Sequence, residues 1–291
     1  MIHATNTPRV SVLMPVLDPH PTHFRQAVES VLGQTMDDLE LIVVEDPSPR
    51  SGRELLADLA DPRLRHVCNA ERTSFVEQLN QGLQLAQAPW VARIDADDVC
   101  EPHRLAQQLQ YLEAHPGIDV LGSRIAMIDQ LGRSLGFRNY PLDHDAIFQA
   151  MSRFNPLAHP TVMFDKRRVL DAGGYETDML TADYDLWSRL ALRGARFANH
   201  PEALVRYRVH PQGMKTARLR AMIRSTVAVK ERYWRGRMDL GARWRVRAER
   251  LLLRLPPKLV LGLFLRIACS RDLDDSSQAA ARLALTEQVI A

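Results

Sequence analysis

Residues Trp90–Val99 read WVARIDADDV, and this stretch decides the fold. An apolar run, Trp90-Val91-Ala92, leads through Arg93 to Ile94, and Asp95, Asp97 and Asp98 then arrive almost together. Carboxylates this close repel one another and resist burial. A buried strand that ends in three of them sets an electrostatic conflict that something else must relieve.

Working outward, RVSVLMPVL (Arg9–Leu17) is short, β-branched and closed by turn residues, the pattern of a buried strand. FRQAVESVLGQ (Phe24–Gln34) has apolar residues at helical spacing, with Thr22 as candidate N-cap. LELIVVEDPSP (Leu39–Pro49) repeats the strand-then-acids pattern. RELLADLA (Arg53–Ala60) reads as a helix, RLRHVCN (Arg63–Asn69) as a strand and SFVEQLNQGLQLAQ (Ser74–Gln87) as a helix; PWVARID is then the fourth strand. Downstream, a helix (Pro102–Ala114) precedes the strand IDVLGSRIAMID (Ile118–Asp129), for which LGRSLGFRNY is a partner. DHDAIFQAMSRF is helical, HPTVMF a short strand, YDLWSRLALRG (Tyr184–Gly194) an amphipathic helix with a glycine stop, and ALVRYRVH (Ala203–His210) a strand.

This alternation predicts an α/β fold: a doubly wound, mostly parallel sheet with helices on both faces. Ligands in such folds bind beyond the carboxyl ends of the strands. Asp18, the pair Glu45 and Asp46, and the Asp95–Asp98 group all fall there.

The chain has 291 residues, enough for a real core. Its three cysteines, Cys68, Cys100 and Cys269, are widely spaced, so neither a disulfide framework nor a zinc site is expected, and a reducing compartment fits. MIHATNTPRV lacks a basic region followed by an apolar segment, so no signal peptide is expected. Net charge is +3, but Lys215–Arg266 carries 15 Lys/Arg against three acids, a balance of about +12 that leaves about −9 for the rest. A mildly acidic body (1–214) thus carries a basic helical tail (215–291). PPKLVLGLFLRIAC (Pro256–Cys269) is too short in its apolar run to span a bilayer. Three readings of the tail stand: an element lying in the membrane interface, a helix packed on the body or on a second copy, and a nucleic-acid contact; the first is preferred and no nucleic acid is expected.

D-A-D at a strand end puts both aspartates on one side of the chain. Such a pair suits a hard divalent cation, which leaves positions for phosphate oxygens. The bland alternative is an acidic loop, with Asp98 capping the helix near Pro102 and Glu101 favouring its positive end.

Beyond these patterns, VARIDADD resembles the (I/V)AR(M/L)DADD segment of family 2 glycosyltransferases, whose fold is GT-A. SVLMPVLDP, AVESVLGQT, LNQGLQLAQAPWVARIDADD, NPLAHPTVMF with AGGY, ADYDLWSRL and VRYRVH resemble further segments of that family in the same order, from about Arg9 to about Lys215. The resemblance implies a nucleotide-binding half (about 1–100) and an acceptor half (about 101–214). It also implies an inverting, metal-dependent transfer of a hexosyl unit from a nucleotide-diphosphate sugar, with a UDP-sugar as expected donor, to a hydroxyl acceptor. A lipid-linked glycan of cell-surface polysaccharide assembly is the expected acceptor, which places the protein in the cytoplasm at the inner membrane face; a homo-oligomer also fits.

The residue roles follow from the same resemblance. Asp97 is the main ligand of a Mn²⁺ or Mg²⁺ ion, with Asp95 beside the ribose and metal and His210 near the diphosphate. Pro15 and Leu17 line the base, Glu45 and Asp46 contact the nucleoside, and Asn80 and Arg93 organise the nucleotide side. Asp183 is the catalytic base, and His159 and Trp187 lie by the acceptor. The chain departs from the family pattern at Glu45-Asp46-Pro47 (usually D-D-G), at Leu17-Asp18 (often Tyr-Asn) and at Ala182 (usually Glu). These departures keep alive a non-catalytic nucleotide-sugar-binding or scaffold relative. A dinucleotide-binding oxidoreductase is excluded because PVLDPHP supplies no G-x-G-x-x-G. A nucleotidyltransferase is disfavoured by the lack of an early Gly-rich basic loop.

Overall fold

The computed structural model describes residues 7–177, 179–209 and 216–255. His210, Cys269 and the apolar segment Pro256–Cys269 therefore lie outside the described residues.

The strand β1 (Val10–Val16) is buried along its whole length. Its side chains alternate between faces. Val10, Val12, Met14 and Val16 join one apolar core, and Leu13 joins the other. The helix α1 (Pro21–Leu32) packs Phe24, Ala27, Val28 and Val31 onto the first core. Its N-cap is His20, with Pro21 as the first residue, so Thr22 lies inside the helix rather than capping it. Proline suits that position because its missing N–H would be unsatisfied there anyway.

After β2 (Leu39–Glu45), α2 (Gly52–Leu55) is a single turn capped by the Ser51 hydroxyl, shorter than the helix expected to Ala60. β3 (Leu64–Cys68) follows. α3 (Phe75–Leu85) starts with a full Ser74/Glu77 capping box and presses Leu79 and Leu83 onto the second core. β4 (Trp90–Arg93) lies parallel to β1, with Leu13 opposite Arg93.

Beyond the acids, a two-residue strand β5 (Val99–Cys100) and α4 (Arg104–Ala114) lead to β6 (Val120–Ile128) and its hairpin partner β7 (Ser134–Arg138). α5 (His144–Ala150), β8 (Met163–Asp165), α6 (Lys166–Asp171), α7 (Ala182–Leu192) and β9 (Phe197–Arg208) complete the body. α8 (Thr216–Val229), a π-helical turn (Lys230–Trp234) and α9 (Leu240–Leu252) form the helical extension.

The sheet order is β3-β2-β1-β4-β8-β6-β9-β5, with β7 on β6. The pairings from β3 to β4, and β6 with β9, are parallel, while β8 and β5 enter antiparallel. Among the described residues no helix is long and apolar enough to cross a membrane.

Candidate active site

The three acids occupy the turn between β4 and β5, closed by the Asp98 amide donating to the Asp95 carbonyl at 3.3 Å. Their carboxylate oxygens lie within 4.8 Å of one another. Asp98 does not cap α4, which begins at Arg104 behind His103. Instead Asp98 is fully buried and accepts the Arg208 amide at 2.7 Å, while its other oxygen has no hydrogen-bond partner. Burial, together with the charges of Asp95 and Asp97, pushes its carboxyl well above the ordinary range. Glu101 pairs with Arg206 at 3.2 Å instead of standing at the helix start.

The Arg208 side chain clamps the turn from the opposite strand. It donates to the carbonyls of Asp97 (2.8 Å), Asp129 (3.0 Å) and Gln130 (3.2 Å). Arg93, almost wholly buried, grips Asp95 through both guanidinium nitrogens and lies 5.4 Å over the Phe75 ring. The arrangement is therefore a pinned acidic turn, with one carboxylate held by the chain's own arginine and one buried oxygen left without a donor. Hard oxygen donors so disposed fit Mg²⁺ or Mn²⁺.

The acids after β2 turn inward. Glu45 is buried and accepts the amides of Gly52 and Arg53, the latter at 3.1 Å, and Nε2 of His66 at 2.8 Å. Burial lowers the His66 pKa. Asp46 is also buried; it accepts the Asn69 amide nitrogen at 2.8 Å, the Thr73 backbone N–H at 2.7 Å and the Thr73 hydroxyl at 2.9 Å. In this conformation both carboxylates, expected to face a nucleoside, are engaged by the chain and fix the neighbouring loops. Pro15 is buried within β1, whereas Leu17 projects with 45% of its surface exposed. Asp18 adopts φ +49, a left-handed conformation that Asn and Asp tolerate, and is latched to Arg50 at 2.9 Å.

Asn80 does not face open space. Its side chain donates to the Tyr175 carbonyl (2.8 Å) and accepts the Tyr175 amide (2.9 Å), bracing the Gly173–Tyr175 turn. That turn presents the Tyr175 hydroxyl to His159 Nε2 at 3.0 Å. Burial, and then the Arg93 charge, hold His159 well below its usual pKa, so the ring is neutral near pH 7. Trp187 is fully buried in the core and reaches this wall only edge-on behind His159, at 6.2 Å between ring centres. Its ring packs against Phe164 on the sheet side, while its indole Nε1–H has no hydrogen-bond partner.

Asp183 lies in the first turn of α7, half-buried, and accepts the Asn155 side-chain amide at 2.6 Å. Burial raises its pKa, against the Tyr184 amide, the Arg93 charge and Asn155, which favour ionisation. Ala182 beside it is buried, so the position that is usually an acid is apolar packing here. Arg93 acts electrostatically on Asp183, His159, Tyr175 and Asp98 alike, so one cation links the acidic turn to the His159–Tyr175–Asp183 group. Asn155, Tyr175, Thr73 and Arg208 were not singled out from sequence. Asn155, Tyr175 and Arg208 stand inside quoted motifs, but only the fold shows what they hold.

This strand order and acidic turn define the GT-A scaffold. Solved structures of similar shape include the mannosyltransferase PcManGT from Pyrobaculum calidifontis in complex with GDP-Man and Mn²⁺. Its TM-score is 0.62 at 20% identity, covering 98% of this chain and 81% of that one. S. aureus TarS 1–349 in complex with UDP gives 0.57 at 17% identity, over 76% and 65% of the two chains.

Residues 11–170 match Glycosyl transferase family 2, and the chain belongs to that family. Among its relatives, the amylovoran biosynthesis glycosyltransferase AmsE of Erwinia amylovora is 31% identical over 190 residues, 65% of this chain and 71% of that protein. The O-antigen biosynthesis glycosyltransferase WbnJ of Escherichia coli is 30% identical over 201 residues, 66% and 77% respectively.

Proposed function

We propose that this glycosyltransferase moves a sugar from a nucleotide-diphosphate donor to a glycan hydroxyl, with inversion at the anomeric carbon. The observation that carries the reading is the pairing of two unlike acidic groups: a three-carboxylate turn, and a separate half-buried aspartate held by Asn155. The first suits a cation with its diphosphate; the second suits proton abstraction.

In this reading Leu17 and Pro15 line the base, and the loop anchored by Asp46 forms the wall beside it. Asp97 and Asp95 face the diphosphate side, with Asp98 beneath them. A divalent cation bound there would offset the charge of the departing nucleoside diphosphate. Arg93 keeps Asp95 in place and supplies the charge that favours ionised Asp183. Asp183 takes the proton from the acceptor hydroxyl as its oxygen attacks the anomeric carbon from the face opposite the leaving group. A single displacement needs no covalent intermediate, and Asn155 holds the base oriented throughout. Neutral His159, fixed by Tyr175, offers the acceptor sugar a hydrogen-bonding edge without competing for the proton. The relatives AmsE, an amylovoran biosynthesis glycosyltransferase, and WbnJ, an O-antigen biosynthesis glycosyltransferase, support a role in surface polysaccharide assembly.

The test is a panel of nucleotide sugars with Mn²⁺, scored for transfer and donor hydrolysis by wild type and Asp183→Ala. Turnover of at least one donor by wild type, and its loss in the variant with donor binding kept, is the expected result. Binding by both with turnover by neither would instead mark a non-catalytic relative.

A further inference from the structure

The outer face of α9 carries three exposed large apolar side chains. Leu240, Trp244 and Leu251 are 75%, 65% and 59% exposed. Their spacing of four and seven residues puts them on one stripe of a helix. Arg243, Arg247, Arg250 and Arg254, all exposed, follow one another at the same helical spacing along the flank of that stripe. The Arg247 guanidinium lies 5.2 Å over the Trp244 ring.

The acid of α9, Glu249, turns the other way, taking Lys230 at 2.7 Å and Arg245 at 3.3 Å. Ala242 and Val246 are buried beneath, Asp239 caps the helix, and Arg245 lies 5.9 Å over the Phe154 ring. The inner side is thus locked onto the body, and the outer side is presented as a fixed surface.

We propose that this face docks on an anionic lipid surface. Arg250 is paired with Glu231, which leaves Arg243, Arg247 and Arg254 beside exposed leucine and tryptophan, with Glu249 turned inward; such a face complements lipid phosphates over an acyl boundary. Arginine stems lie along apolar surface while their heads stay wet, and an indole settles at such a boundary. The surrounding segment Lys215–Arg266 has the same sign, 15 Lys/Arg against three acids.

The placement has a consequence for the acceptor. Arg153 pairs with Asp239 at the start of α9, and two residues on Asn155 holds Asp183. A lipid surface under α9 is therefore close in the chain's packing to the proposed base, which suits an acceptor carried on a lipid. That last point rests on the glycosyl-transfer reading; the docking does not.

The experiment uses the full chain and vesicles of phosphatidylcholine, with or without about 30% phosphatidylglycerol. Co-sedimentation and tryptophan emission are followed together. Of the four tryptophans, Trp187 and Trp234 are buried and Trp90 on β4 is half-buried, so a blue shift that Trp244→Ser removes reports Trp244. Wild type should pellet with the anionic vesicles only, release with salt, and shift to the blue. Trp244→Ser with Leu251→Ser should weaken partitioning at least about tenfold, while donor hydrolysis in solution is unchanged, which shows that the variant is folded. Equal partitioning of wild type and variant would overturn the proposal, as would equal binding to neutral vesicles. So would a dimer in sedimentation equilibrium that the variant abolishes, or a Trp244 shielded from acrylamide until residues 256–291 are removed.

Discussion

Replacing Asp183 by Asn tests the proposed base with little structural disturbance. The amide has the shape of the carboxylate, and its oxygen can still accept the Asn155 side chain, now at 2.6 Å from Asp183. What disappears is the proton acceptor. General-base assistance is worth about 10²–10⁴ in rate, or roughly 3–5 kcal/mol of activation free energy. We expect kcat to fall about 10³-fold, with the donor KM nearly unchanged because the donor's charge is met at the acidic turn.

Burial raises the Asp183 pKa, so the wild-type rate should fall as pH drops through that raised value. The variant should lack this acidic limb. The stability consequence has the opposite sense. A carboxyl with a raised folded pKa favours the protonated folded state, and that contribution is lost as pH rises through the folded pKa. Above that raised pKa the ionised, half-buried Asp183 therefore costs stability, and Asp183→Asn should raise Tm there. Steady-state kinetics from about pH 4 to 9, with melting curves alongside, check both. A variant within about threefold of wild-type kcat, or one that keeps the acidic limb, would refute the assignment of Asp183 as base.

Other expectations follow from the same contacts. Asn155→Ala removes a donor that favours ionised Asp183, so the acidic limb of the pH–rate profile should move to higher pH while donor affinity holds. Glu45→Ala leaves the Gly52 and Arg53 amides and His66 without their acceptor; a loss of about 3 kcal/mol, or roughly 6–12 °C in Tm, should appear in thermal melts. Gly174 has φ +70, and a Cβ there would stand 2.7 Å from the Asn80 side-chain oxygen. Gly174→Ala should therefore cost about 1–3 kcal/mol in denaturant titrations, and disturb the turn that carries Tyr175.

β1, β2 and β4 were legible because each is a short apolar run closed by acids or turn residues, the pattern a parallel sheet buried on both faces demands, whereas β3 (LRHVC) is a half-exposed edge strand. β5 was not legible, since two residues hold no periodicity; Val99 and Cys100 become a strand only by meeting Arg206 and Val205. The sequence around Asp98 reads as a helix cap, yet its partner is an amide 110 residues away. Glu45 and Asp46 were placed correctly at a strand end, but their direction depends on donors from Gly52, Thr73 and Asn69 that converge only after folding. Trp187 carries a helical period that suits either a core or a binding wall, and the packing of α7 on β8 decides for the core. Asp183 is singled out by the order of the motifs around it; that Asn155 holds it could be read only from the fold.

The central claim is that the Asp95–Asp98 turn binds a nucleotide-sugar diphosphate through a divalent cation. Calorimetric titration of the accepted donor into wild type and Asp97→Asn, each with Mn²⁺ and with EDTA, measures this directly. Tight binding is expected only for wild type with metal, weakened at least about tenfold in either other condition. Equal donor affinity with and without metal, or in wild type and Asp97→Asn, would contradict it.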